Sequence, residues 1–113
     1  MTCFSLGIAT PVAAQERAEE LLWNCSGKAA GNAVEKEARR LHCIGYLQGA
    51  NDMLRLLNDF LKANLVCAPD EGLSNDQVVR IVMKWIEDNP EKMHIPGRTA
   101  VLMALMKAFP CKG

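Results

Sequence analysis

Apolar residues first recur at helical spacing between Gln15 and about Cys25, where Ala18, Leu21, Leu22 and Cys25 fall on one side. The stretch SGKAAGN, Ser26 to Asn32, is polar and glycine-bearing and interrupts the pattern. A longer run follows, roughly Ala33 to Ala63. In it Cys43, Leu47, Ala50, Leu54, Leu57 and Leu61 alternate steps of four and three, which predicts one continuous apolar seam. Lys36, Glu37, Arg39 and Arg40 near its start read as a solvated face. Cys67 and Pro69 mark its end, and PDEGLSND forms a turn. The next helix has the clearest start signal. Ser74 followed by Gln77 is a capping box, Leu73 can staple onto Val78, and Val78, Ile81, Val82, Trp85 and Ile86 make the buried face. Asn89-Pro90 stops it, because the residue before proline is pushed out of the helical region. The last helix, about Gly97 to Phe109, is apolar nearly all round, with Val101, Leu102, Met103, Leu105, Met106 and Phe109. Such a helix is central in the core or partly covered by another subunit. The expected fold is all-α: a compact bundle of four helices, one of them long, stapled by two disulfides.

Topology decides how the cysteines pair. Short connections make the second, third and fourth helices run down, up and down, so the second and fourth finish at the same end. Cys67 and Cys111 both lie just past a last turn there and form the favoured pair. Cys25 is left for Cys43, which sits about three turns, roughly 15 Å, into the long helix, a distance the connecting loop can span. No two cysteines have the close spacing of a zinc site, so no metal and no cofactor are expected. The fifth cysteine, Cys3, lies in MTCFSLGIATPVAA, fourteen residues without a charge. Val12-Ala13-Ala14 places small residues where signal peptidase cuts. We read residues 1–14 as the remnant of a secretory signal, too short to span a bilayer, and residues 15–113 as a single helical domain. Four cysteines in a short exported chain are read as two disulfides.

Thirteen basic residues balance thirteen acidic ones, and no basic stripe interleaves with aromatics, which argues against a nucleic-acid partner. Nor does the chain pair a nucleophile with a base placed to serve it. His42 points about 100° away from Cys43 on a helix, and His94 sits in a proline-flanked loop. We therefore expect no enzyme. Most of the six methionines read as core, with Met93 the exposed exception, and Trp23 and Trp85 as core anchors. Gly45 and Gly49 lie one turn apart on one helix face, each costing about 1 kcal/mol against alanine. The expected compensation is close approach of the first helix, with the Tyr46 ring packed alongside.

The ordered set C-x-G-Y-x-x-G at Cys43–Gly49, C-x-P at Cys67–Pro69, N-P-E at Asn89–Glu91 and F-P-C at Phe109–Cys111 resembles the Rap/Tai family of type VI secretion amidase immunity proteins. The likeness runs from roughly Cys25 to Cys111. It implies a periplasmic, all-helical, disulfide-bonded protein, commonly a homodimer, that binds a peptidoglycan-cleaving cysteine amidase effector and occludes its active site. These motif residues look structural, so the inhibitory surface is sought in a projecting, proline-stiffened segment, which loses less entropy on docking. The connection Asn89–Arg98 comes first, with Glu91, Lys92, Met93, His94 and Arg98 as contacts, and Pro69–Asp76 second. The alternatives are a periplasmic helical chaperone or stress protein without a dedicated toxin partner, and a structural envelope subunit that assembles through the last helix.

Overall fold

The computed structural model describes residues 16–112. The stretch read as a signal remnant, with Cys3, lies outside them. Four α-helices follow in chain order: α1 (Ala18–Ser26), α2 (Ala33–Leu61), α3 (Asn75–Asp88) and α4 (Gly97–Ala108), with a single 3-10 turn (Pro90–Lys92) between the last two. No strand occurs among the described residues. The four-helix reading holds, with α1 starting at Ala18.

Two helices are begun by local side-chain caps. Asn32 caps α2: its Oδ1 accepts from the Glu35 N–H, and Glu35 Oε1 accepts from the Asn32 N–H, both at 2.9 Å. Ser74 caps α3 by accepting from the Gln77 N–H at 3.1 Å. Gly27, at φ 76°, ends α1 in the left-handed conformation that a side chain resists.

The core is built where α1, α3 and α4 meet the first half of α2. Leu21, Leu47, Val82, Ile86, Val101 and Leu105 are its largest fully buried side chains. One side of α4 lies in the core, with Ala100, Val101, Ala104 and Leu105 all buried, while Leu102 and Met103 are partly buried and Met106 is exposed. Trp85 anchors the core as expected, but Trp23 is 53% exposed. Leu21 and Leu22 define the inner face of α1, and Trp23, two positions beyond Leu21, is rotated away from it.

The continuous seam on α2 needs correction. Cys43 and Leu47 are buried, Ala50, Leu54 and Leu57 only partly, and Leu61 is exposed. Length explains this. The 29 residues of α2 span about 43 Å, whereas the 14 residues of α3 cover only about 21 Å. The glycine reading is overturned as well. Gly45 and Gly49 face outward, and a Cβ at either would meet nothing within 4 Å. No part of the described chain packs on them; α1 reaches the opposite side of α2 through Cys43.

The far half of α2 is held by other means. After the left-handed Lys62 the chain turns back along the helix, and Asn58 clamps it, donating from Nδ2 to the Val66 carbonyl at 2.6 Å and accepting from the Leu65 N–H at 2.8 Å. Cys67 then donates its N–H to the Phe109 carbonyl at 3.0 Å and is bonded to Cys111. Both pairings read from topology are present, Cys25–Cys43 and Cys67–Cys111, with Cα–Cα distances of 5.1 and 5.0 Å. Their sequence separations of 18 and 44 correspond to about 3 and about 4 kcal/mol of loop-closure stabilisation. Replacing Cys67 and Cys111 with alanine should therefore lower the unfolding free energy by about 4 kcal/mol in a denaturant titration. A loss below about 1 kcal/mol would show that the bridge only decorates a fold held by its core.

Candidate partner-binding surface

Asn89 begins the connection between α3 and α4. Its N–H donates to the Ile86 carbonyl at 3.1 Å and its side-chain amide to the Trp85 carbonyl at 2.7 Å, closing the last turn of α3. Pro90, with φ preset, opens the 3-10 turn, and the Lys92 N–H returns to the Asn89 carbonyl at 2.8 Å. The chain then meets the start of α1. The Met93 carbonyl accepts from the Glu19 N–H at 2.9 Å and the Ile95 carbonyl from the Ala18 N–H at 2.8 Å. These are donors that the first turn of a helix leaves without intrahelical partners. The connection thus caps α1 with its backbone, and Arg17 pairs with Pro96 in a one-residue antiparallel bridge.

Docking onto α1 means the segment is not the projecting loop that its prolines implied. Glu91, His94 and Arg98 are exposed, whereas Lys92 and Met93 are half-buried, with Met93 packed against the core. Met93 was expected as an exposed contact; its carbonyl is tied to α1, and the side chain follows inward. Of the five residues predicted to bind a partner, three are exposed. The second segment, Pro69–Asp76, is a tight turn closed by the Gly72 N–H on the Pro69 carbonyl at 2.9 Å.

Behind the connection lies a polar cluster that the sequence did not announce. The side chain of Glu16, only 13% exposed, accepts from Asn24 Nδ2 at 3.0 Å, and its other oxygen lies 2.5 Å from His42 Nε2. Its backbone carbonyl accepts from the Gly97 N–H at 2.6 Å. Tyr46 stands beside His42, ring centroids 6.1 Å apart. At Gly97 a Cβ would come within 2.9 Å of the Tyr46 hydroxyl and 3.0 Å of the Glu16 carbonyl. Here, not at Gly45 or Gly49, a glycine permits close approach. Burial of the Tyr46 phenol, and then the charge of Glu16, hold its pKa above the ordinary value; Arg98 opposes them through its charge and a backbone hydrogen bond.

The cluster binds α2, the segment before α1 and the start of α4 into one framework under the exposed side chains. Among the described residues no three His, Cys, Asp or Glu side chains are grouped to hold a metal ion. A family model described as Rap1a immunity proteins matches residues 17–111. The chain belongs to that family. As a Rap1a immunity protein it takes its disulfides, helix stops and docked connection from within the matched span. No curated protein and no solved structure matches it. No helix among the described residues is long and apolar enough to cross a membrane.

Two outcomes follow. Gly97→Ala should cost about 1–3 kcal/mol, because the new methyl must displace Tyr46 and the Glu16 backbone; an unchanged unfolding midpoint would refute the close-approach assignment. The chain has one tyrosine, so phenolate absorbance reports Tyr46 alone. Its folded midpoint should lie above that of the denatured chain. The contribution to stability is complete below about pH 10 and lost as pH rises through the raised folded value; coincident midpoints would contradict the burial.

Proposed function

We propose that this chain is a periplasmic immunity protein that binds a peptidoglycan-cleaving cysteine amidase effector and occludes its active site, acting as a homodimer. The observation that carries the reading is the family match over residues 17–111, which spans all four helices and both disulfides. Two disulfides in a chain this small fit an oxidising compartment, and the periplasm is where a peptidoglycan amidase would act.

The surface proposed for the effector is the connection between α3 and α4. Its backbone is fixed by α1 before any partner arrives, so little conformational entropy is lost on binding. Glu91, His94 and Arg98 carry the contact, while Lys92 and Met93 set the shape of the segment. An immunity protein needs no catalytic group for this task; it needs a stiff surface that fills a cleft and excludes substrate.

The oxidised chain should inhibit a type VI secretion amidase encoded beside it and co-purify with it stoichiometrically. Changing Glu91, His94 and Arg98 together to alanine removes three exposed side chains and should weaken inhibition by roughly 100-fold. Absence of inhibition by the wild-type chain would sink the immunity reading. Full inhibition by the triple variant would move the contact elsewhere and leave the function intact.

A further inference from the structure

Trp23 belongs neither to the core nor to the surface proposed for the effector. Its side chain borders a depression of about 450 Å³ between the end of α1 and the start of α2. That volume lies within the range of small-ligand sites, roughly 300–1,000 Å³. One wall comes from α2, where Ala33, Lys36, Glu37 and Arg40 share a face of the first two turns. We infer that this pocket binds a carboxylate-bearing sugar of the kind that builds peptidoglycan, its ring stacked on Trp23 and its carboxylate held by Lys36.

Charge selects an anion. Lys36, Arg39 and Arg40 line the pocket against one carboxylate, that of Glu37. Arg40 is already engaged, donating to Glu37 through two hydrogen bonds at 3.1 and 2.6 Å. Arg39 donates from Nη1 to the Ala30 carbonyl at 2.8 Å. Lys36 makes no hydrogen bond or ion pair through its side chain among the described residues. Its ammonium keeps three donors, carried on a flexible four-carbon stem.

The indole selects a ring. Its face is flat, apolar and slightly negative, and a pyranose presents a matching side of C–H bonds whose hydrogens are slightly positive. A carboxylate alone offers the charge without that face, and a neutral sugar offers the face without the charge. The choice of sugar rests on the periplasmic reading above, since that compartment holds peptidoglycan. The effector connection is bonded to the first turn of α1 at Ala18 and Glu19, whereas the pocket lies at the last turns, Trp23 to Ser26. Binding here concentrates the inhibitor on the polymer that an amidase attacks.

The test needs no effector, so its failure leaves the inhibitory reading standing. N-acetylmuramic acid, N-acetylglucosamine and lactate are each titrated into the oxidised 113-residue chain and followed by proton–nitrogen NMR. The chain has two tryptophans, and Trp23→Ala assigns the two indole N–H signals. N-acetylmuramic acid should shift the Trp23 signal with a dissociation constant of about 1 mM. N-acetylglucosamine, which has the same ring without the carboxylate, and lactate, which has the carboxylate without the ring, should each bind about tenfold more weakly or worse. Trp23→Ala should weaken N-acetylmuramic acid about tenfold and keep the wild-type circular dichroism, because the ring is exposed. Lys36→Gln should weaken it about fivefold or more and abolish the loss of affinity that added salt causes in the wild-type chain. No binding of N-acetylmuramic acid at 20-fold above about 1 mM, equal binding of the neutral sugar, or unchanged binding by either variant would overturn the assignment. Tighter binding of the acidic peptide acetyl-Glu-Leu-Glu-amide than of the sugar would overturn it too, by giving the pocket to a protein partner.

Discussion

Most of this structure depends on how α2 is held. The helix has 29 residues, and only Cys43 and Leu47 along it are fully buried. So narrow an apolar contact could not fix a rod of about 43 Å against three shorter helices. Covalent bonds supply what burial does not. Cys43 fastens the middle of α2 to the end of α1, and Cys67, just past its end, fastens the returning chain to the end of α4. Asn58 adds a local clamp between these points by bonding both Leu65 and Val66. Small domains with limited cores commonly rely on such staples.

This division of labour leaves two surfaces with different characters. At one end the connection between α3 and α4 is drawn onto α1 through backbone hydrogen bonds from Ala18 and Glu19, and the Glu16–His42–Tyr46 cluster supports it from beneath. It is stiff, with the side chains of Glu91, His94 and Arg98 exposed on it. Along the outside of α2 the surface is apolar, with Gly45 and Gly49 near its centre.

Much of the fold was legible in the sequence because it is written in local signals. Ser74, Asn89-Pro90 and the period of apolar residues placed α3 to within a residue, and short connections were enough to pair the cysteines. Two of the misreadings, the seam and the glycines, share one cause. Period shows that a residue lies on a given face but not whether that face is covered. Gly45 and Gly49 were correctly placed together on one side of α2 but assigned the wrong side, since nothing local says which way Cys43 turns them. The same ambiguity let the seam run to Leu61, where no helix remains to receive it. The reciprocal Asn32–Glu35 cap was visible as an N-x-x-E pattern and went unread. The Glu16 cluster left no trace, because it joins residues far apart in the chain whose meeting depends on the finished packing.

The claim that α2 is held by its bridges is tested most directly by native-state hydrogen exchange. The amides of α2 should be compared between the wild-type chain and one with Cys67 and Cys111 changed to alanine. On the present account the loss of protection is confined to the second half of α2, residues 50–61, and to the returning segment, while α3, α4 and the first half of α2 keep theirs. Uniform loss across all four helices, or unchanged protection of residues 50–61, would contradict it.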